Sequence, residues 1–196
     1  MARTRSQAAK YSVRKGKSLE RRAAKQLCEW TGVEGFRRTP QSGGFNKSYK
    51  TKVGEREFAS DIMCERSMKF TIEIKSEQGF SLDALMNIET AYTCKFTEWW
   101  FQVNDDAINI KKFPLLWFKP IPNWDWVALS SDGVETLAIP ESVTRIVVNA
   151  YKGQPVTRMS RDEADIRVEV TLPLPDPIIF RWKDIKADVN GLLLFE

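Results

Sequence analysis

The sequence contains no histidine, only three cysteines, and no apolar run of the roughly 18–20 residues that a membrane-spanning helix needs. Without an imidazole, the protein cannot use a Ser-His-Asp or Cys-His hydrolase mechanism, a histidine general base or a Cys2His2 zinc site. Carboxylates, lysines and water activated by a metal remain as the groups for acid–base chemistry at neutral pH.

The cysteines also argue against a secreted protein. Cys28, Cys64 and Cys94 are odd in number and widely spaced, and no Cys-x-x-Cys pair occurs, so neither a disulfide framework nor a zinc knuckle is indicated. Residues 1–17 are basic, but no apolar stretch follows them as it would in a signal peptide. We therefore expect a cytoplasmic protein in a reducing compartment.

Charge is distributed unevenly along the 196 residues. The net charge is only +4, yet residues 1–60 carry 15 Lys and Arg against 5 Asp and Glu, whereas residues 61–196 carry 15 against 21. The basic part is a candidate surface for binding a polyanion. The alternative is a solubilising terminus, because runs of charge often form only a solvated face.

Hydrophobic periodicity predicts an α/β fold with a small central mixed β-sheet flanked by helices. We expect a flexible basic arm over residues 1–16, a core over residues 17–130 and a β-rich C-terminal extension over residues 131–196. The predicted helices cover residues 17–30, 81–92 and 96–110, and the predicted strands cover residues 36–39, 58–64, 69–75, 114–119, 124–129, 143–151 and 166–172.

The strand predicted over residues 69–75 carries the most informative chemistry. Alternation of side chains places Glu73 and Lys75 on the same face, and a hairpin near residues 66–67 would bring Asp61 beside Glu73. Two carboxylates on neighbouring strands can hold Mg²⁺ or Mn²⁺. A lysine beside them can orient or help deprotonate a water and offset charge on a phosphate. The pattern predicts a histidine-free site for phosphodiester hydrolysis.

This interpretation has alternatives. Glu-x-Lys arises easily by chance, and Asp61, Glu73 and Lys75 could form only an ion cluster on the protein surface. Glu20 lies at the border of the apolar stripe of the first helix, where an acid either reaches to solvent or is held for a purpose.

A second set of residues, Asp176 with Asp184 and Lys186, fits a literal proline-acid, acid-x-lysine pattern better. Only ten residues follow Lys186, which leaves no room for the remaining strands and the covering helix of such a site. Trp182 and Ile185 also have helical spacing, so we reject this set on its context.

Several segments together resemble the PD-(D/E)XK nuclease superfamily and, within it, archaeal- and phage-type Holliday junction resolvases. The resemblance rests on residues 16–22, residues 35–38 with Ser42-Gly43-Gly44, then Asp61 and residues 72–75, and it extends over residues 16–129. Ser60 stands where the superfamily motif has a proline.

The resemblance implies a restriction-endonuclease-like core and specific roles for site residues. Asp61, Glu73 and Glu20 would be metal ligands, Lys75 would be the catalytic lysine, and Gln102 matches a recurrent glutamine of the second helix. The residues implied to contact DNA are Arg37, Arg38, Ser42, Gly43, Gly44, Lys47 and Lys50, of which the glycines let the backbone approach a phosphate.

The resemblance further implies a Mg²⁺-dependent DNA endonuclease, with Mn²⁺ able to replace Mg²⁺, that cleaves branched DNA as a homodimer. Such a protein would be phage-encoded and act in the cytoplasm of a bacterial host. Two other hypotheses remain open: a linear-duplex nuclease of the restriction or genome-processing type, and a DNA-binding protein without activity.

Overall fold

The computed structural model describes residues 5–39, 60–78, 80, 82, 94–121, 125–149, 151–161 and 167–196. Its elements, in chain order, are α1 (Arg5–Thr31), β1 (Arg37–Arg38), β2 (Ile62–Met63), β3 (Phe70–Gln78), α2 (Lys95–Ile110), β4 (Phe113–Ile121), β5 (Trp126–Leu129), α3 (Ser131–Thr136), β6 (Arg145–Val147), β7 (Pro155–Arg161), β8 (Arg167–Pro173), β9 (Ile178–Arg181), α4 (Trp182–Asp188) and a 3-10 helix (Gly191–Leu194).

A five-stranded mixed sheet lies at the centre of the described structure, with the strand order β3-β4-β5-β9-β6. β3 and β4 are parallel and pair Glu73 with Leu116, whereas the pairs β4–β5, β5–β9 and β9–β6 are antiparallel. β1 and β2 form a short antiparallel pair, and β7 and β8 form a hairpin. The expected α/β architecture with a restriction-endonuclease-like core is confirmed.

Both faces of this sheet are buried. The run Leu115-Leu116-Trp117-Phe118 in β4 is fully apolar because alternate side chains enter two different cores. Leu115 and Trp117 join the core beneath α1 and α4, whereas Leu116 and Phe118 join the core beneath α2 and the β7–β8 hairpin. In β3, Ile72 and its neighbours of the same parity also face α1. Glu73 and Lys75 therefore face the α2 side.

The first helix is longer than the sequence indicates. α1 begins at Arg5, so residues 5–16 continue the helix rather than form the predicted flexible arm. The helical pattern of apolar residues begins only at Leu19, but the preceding segment is rich in Ala, Lys and Arg and lacks proline. These residues favour a helix by propensity alone, and one internal Gly at position 16 is tolerated.

The C-terminal third is also not a separate extension. β9 pairs with β5 inside the central sheet, and β6 then pairs with β9 at the sheet edge. Phe180 and Trp182 are buried in the same core as Leu27 of α1. The predicted boundary at residue 130 is wrong because the switch from helix-rich to strand-rich sequence does not coincide with the end of the hydrophobic core.

Several predicted elements differ in extent. Among the described residues, the strands expected over residues 36–39, 58–64 and 143–151 are limited to two or three residues in β1, β2 and β6. The apolar end of the chain forms the 3-10 helix, and Phe195 then bridges to Met68. The helix predicted over residues 81–92 lies outside the described residues, apart from Leu82. None of the described helices is long and apolar enough to cross a membrane.

Phe180→Ala tests whether the C-terminal third belongs to the core. The Phe180 side chain is fully buried between α1 and the sheet, so we expect its truncation to lower the free energy of unfolding by about 3–5 kcal/mol. Urea unfolding followed by tryptophan fluorescence measures this change. Val147→Ala on the exposed face of β6 is the control, with an expected change of about 0.5 kcal/mol or less. Two separate transitions, with the first unaffected by Phe180→Ala, would contradict a common core.

Candidate active site

Glu73 and Lys75 lie side by side on β3, as alternation in the strand predicts. The Lys75 Nζ atom is 2.5 Å from the Glu73 Oε1 atom. Only 9% of the Glu73 side chain and 24% of the Lys75 side chain are exposed, so water screens this ion pair far less than a pair on the surface. The pair is thus a structured part of the protein interior, open on one side.

Gln102 of α2 closes a ring of hydrogen bonds around this pair. Its Nε2 donates to Glu73 Oε1 at 3.0 Å, and its Oε1 accepts from Lys75 Nζ at 3.1 Å. The two bonds use opposite ends of one amide, so Gln102 holds the carboxylate and the ammonium in a fixed relation. The packing of α2 against the sheet therefore sets the orientation of both charged groups.

Asp61 is fixed against β3 by its backbone and by its side chain. The N–H of Asp61 donates to the carbonyl of Ile72 at 2.9 Å, and Asp61 Oδ2 accepts from the N–H of Ile74 at 2.8 Å. On the other side, the N–H of Thr39 donates to the carbonyl of Asp61 at 2.9 Å. The carboxylate thus lies beside Glu73, as expected from a hairpin between the two strands.

Asp61 carries an electrostatic penalty. Burial raises the pKa of Asp61 well above its ordinary value, and the negative charges of Glu73 and Glu20 raise it further. The hydrogen bond from Ile74 and the charge of Lys75 act in the opposite direction but do not outweigh burial. The ionised form of Asp61 is therefore disfavoured, mainly by burial and further by the two acids beside it.

Lys75 is held as a cation. Burial alone would lower the pKa of Lys75, but the charge of Glu73, its hydrogen bond, and the charges of Asp61 and Asp106 raise that pKa above its ordinary value. Asp106 lies on α2 one turn after Gln102, which places both on the side of the helix that faces β3. In this arrangement Lys75 supplies positive charge rather than a base.

Glu20 and Arg38 pair at the edge of the site. Arg38 Nε donates to Glu20 Oε2, and both side chains are largely buried. Glu20 is near enough to Asp61 for its charge to contribute to the raised pKa of Asp61. Glu20, at the border of the apolar stripe of α1, therefore lies on the side of the helix that faces the site. Arg38, which the sequence suggests as a DNA contact, is the ion-pair partner of this acid.

Whether these residues fit a metal ion depends on their charge and chemistry. Among the residues that the structure describes, no three acidic or thiol side chains meet closely enough to enclose a metal ion. Instead, Glu20 pairs with Arg38, and Glu73 pairs with Lys75 and Gln102. Asp61 and Glu73 nevertheless offer hard oxygen ligands, and their mutual repulsion is what a divalent cation would relieve. This donor set fits Mg²⁺ or Mn²⁺.

The remaining predicted DNA contacts are only partly described. Arg37 lies on β1 with an exposed side chain and is 3.5 Å from Glu65. Such an exposed pair is weak and can open for a phosphate. The predicted loop residues Ser42, Gly43, Gly44, Lys47 and Lys50 lie outside the described residues.

The rejected motif near the C-terminus, Asp176 with Asp184 and Lys186, has a structural role. Asp176 Oδ1 accepts hydrogen bonds from the backbone N–H groups of Tyr151 and Lys152, at 2.6 and 2.9 Å. Asp184 of α4 pairs with Arg181, the last residue of β9, and Lys186 reaches Glu29 of α1. These three residues stabilise a turn, a helix start and a helix contact, and they do not form one site.

Comparison with known proteins gives the class and then the family. The family model described as "Phage putative PDDEXK endonuclease" matches residues 11–163. The central mixed sheet agrees with a restriction-endonuclease-like fold, and the chain belongs to this phage family of PD-(D/E)XK endonucleases. The match extends beyond residue 129, where the sequence resemblance ends. No curated protein and no solved structure matches the chain.

Asp61→Asn tests the electrostatic penalty. When the folded-state pKa of an acid is raised, the folded state binds a proton that the unfolded chain releases, so stability falls as pH rises above 3.8 toward the raised value. We expect Asp61→Asn, without divalent cations, to unfold at a higher urea concentration than the wild type at neutral pH. The advantage should shrink as the pH is lowered toward 4.

Asp188→Asn, at an exposed position of α4, is the matched control and should leave the urea midpoint nearly unchanged. An Asp61→Asn variant that is less stable than the wild type at neutral pH would show that Asp61 contributes favourable interactions in excess of its repulsion.

Proposed function

We propose that the protein is a Mg²⁺-dependent DNA endonuclease that hydrolyses phosphodiester bonds, with branched DNA as its preferred substrate. One observation carries this proposal. Glu73 and Lys75 lie together on β3, and Asp61, just before β2, is hydrogen-bonded to β3 beside them. Membership in the phage PD-(D/E)XK endonuclease family supports the assignment of nuclease activity. PD-(D/E)XK nucleases generally depend on a divalent metal.

Asp61 and Glu73 would hold the cation, with Glu20 as a third ligand once it separates from Arg38. A bound divalent cation lowers the pKa of a water and stabilises negative charge on the phosphate. Asp61 is suited to this role because its carboxylate is held by the N–H of Ile74 and is repelled by Glu73 in the absence of a cation. The repulsion favours occupancy of the site by positive charge.

Lys75 contributes electrostatic stabilisation. Its ammonium is held by Glu73 and Gln102, and its side chain is partly exposed. A fixed cation aimed at a phosphate stabilises the charge that develops in the transition state without reorganising during the reaction. Gln102 orients Lys75 and Glu73 through the two ends of its amide. Gln102 therefore acts on the reaction through its neighbours.

Binding of DNA would involve the basic N-terminal part of the chain. Arg37 and Arg38 lie on β1 beside the site, and the predicted loop contacts Ser42, Gly43, Gly44, Lys47 and Lys50 follow them in sequence. Arg38 can exchange its contact with Glu20 for a phosphate, which would free Glu20 for the cation. Contacts of this kind position a duplex without reading its sequence.

A preference for branched DNA rests on the resemblance to Holliday junction resolvases over residues 16–129. Cleavage across a four-way junction requires two symmetric cuts, which a two-fold homodimer would supply by geometry. We therefore propose a homodimer as the active form.

Asp61→Asn and Lys75→Ala test the assignment of the site. Loss of a cation ligand or of the fixed ammonium removes transition-state stabilisation, so we expect each variant to lose cleavage of a labelled four-way junction by about 100-fold or more. Binding of the same junction in Ca²⁺, measured by gel shift, should persist because the proposed DNA contacts at Arg37, Arg38, Lys47 and Lys50 are unchanged in both variants.

The rejected motif near the C-terminus provides matched controls. Asp184→Asn and Lys186→Ala remove the same chemical groups from surface ion pairs at α4, and both variants should cleave as the wild type does. Cleavage retained by Asp61→Asn or Lys75→Ala would refute the site.

A second experiment separates the substrates. Wild-type protein is incubated with Mg²⁺ and either a labelled four-way junction or one of its linear duplex arms, at two salt concentrations. We expect paired, symmetric cuts in the junction and much slower cleavage of the duplex. Equal cleavage of both would favour a duplex nuclease of the restriction or genome-processing type. Strongly salt-dependent binding without cleavage would indicate a binding protein without activity.

A further inference from the structure

The hydroxyl of Ser60 makes an unusual set of bonds one residue before Asp61. Ser60 Oγ accepts from the backbone N–H of Ile72 at 2.9 Å and donates to the carbonyl of the same residue at 2.9 Å. It also accepts from the N–H of Ile62 at 3.3 Å. One donor and two acceptor positions are all that a hydroxyl has, and here all three are engaged by backbone groups.

These contacts replace part of a β-ladder. In an antiparallel pair, two opposed residues exchange both of their backbone hydrogen bonds. At Ile72 the partner for both groups is the Ser60 side chain, and the N–H of Asp61 adds a second bond to the Ile72 carbonyl. The Ser60 hydroxyl therefore links the residues just before β2 with Ile72 of β3, at a place where backbone-to-backbone pairing is incomplete.

The opposite side of Ser60 is also held. Thr39, which is only 2% exposed, donates from its Oγ1 to the Ser60 carbonyl at 2.7 Å. Its N–H donates to the carbonyl of Asp61, so Thr39 contacts two successive residues. Ser60 and the backbone of Asp61 are thus fixed between β1 and β3.

The position of the Asp61 carboxylate depends on this attachment. Asp61 Oδ2 reaches the N–H of Ile74, two residues beyond the residue that Ser60 holds. If the segment moved relative to β3, the carboxylate would lose this bond and its fixed position beside Glu73. The side chain of Ser60 points at backbone and not at the open side of the site, so it acts only through Asp61.

We propose that Ser60 is a positioning residue whose hydroxyl sets the Asp61 carboxylate for cation binding. Proline occupies this place in the superfamily motif, and proline has neither a hydroxyl nor an N–H with which to make these bonds. This chain therefore positions its first acidic ligand by a side-chain hydrogen bond. The inference rests on the proposed function, since it assumes that Asp61 and Glu73 hold a divalent cation.

The test measures Mn²⁺ binding to the full chain without DNA, by the loss of free Mn²⁺ signal in electron paramagnetic resonance. Loss of groups that orient a ligand typically weakens metal binding by 10–100-fold, and we expect Ser60→Ala to raise the Kd for Mn²⁺ by about tenfold. Ser60→Thr keeps the hydroxyl on a side chain suited to strands, so its Kd should lie close to that of the wild type.

Ser130→Ala is the matched control for stability. Ser130 Oγ accepts from the N–H of Gly133 and caps α3. Its loss should lower the melting temperature, as loss of Ser60 does, while leaving the Kd for Mn²⁺ unchanged. If Ser60→Ala does not fold, Ser60→Cys serves instead, because a thiol of similar size bonds weakly and should also raise the Kd.

The outcomes separate this inference from the proposed function. Wild-type affinity for Mn²⁺ in Ser60→Ala or Ser60→Cys, with a wild type that binds Mn²⁺ and cleaves DNA, overturns the role of Ser60 alone. Equal weakening by Ser130→Ala also overturns it, because the effect would then follow stability. A wild type that neither binds Mn²⁺ nor cleaves DNA overturns the proposed function and this inference together.

Discussion

Repulsion between the carboxylates of Asp61 and Glu73 is the constraint on which the site depends. Burial and like charge disfavour the two ionised acids together, and both contribute to the raised pKa of Asp61. The fold maintains them through backbone bonds: Asp61 is tied to Ile72 and Ile74 of β3, and β3 is in turn paired along its length with β4. We propose that this arrangement lowers local stability because its carboxylates serve to bind a cation.

The surrounding cations reduce this repulsion without removing it. Lys75 pairs with Glu73, Arg38 pairs with Glu20, and the charge of Lys75 also acts to lower the pKa of Asp61. These partners are also groups that can contact a phosphate. We propose that, with a cation and DNA bound, Glu20 and Glu73 would face the cation while Arg38 and Lys75 would face the phosphate. The charges that pair with one another in this structure would then serve the reaction.

Local periodicity in the sequence predicted the α/β class and the shared face of Glu73 and Lys75, because both depend on residues close in the chain. The contact of Gln102 with Lys75 depends on how α2 packs, and only its position in a helix was evident from the sequence. The start of α1 and the entry of β9 into the central sheet were mispredicted. The start of α1 depends on helix propensity without an apolar stripe, which is a weak signal in a single sequence. The pairing of β5 with β9 joins strands about 50 residues apart, and local periodicity does not report such pairing. The hydrogen bonds between the Ser60 hydroxyl and β3 could not be predicted from a sequence motif.

Cation binding between Asp61 and Glu73 is tested by an anomalous-scattering map from crystals of the protein grown with Mn²⁺. We expect a Mn²⁺ peak in contact with carboxylate oxygens of both Asp61 and Glu73, with Lys75 beside it. Well-ordered crystals in which Mn²⁺ is present in solution but no peak lies between these two side chains would contradict the assignment of this site to cation-dependent DNA cleavage.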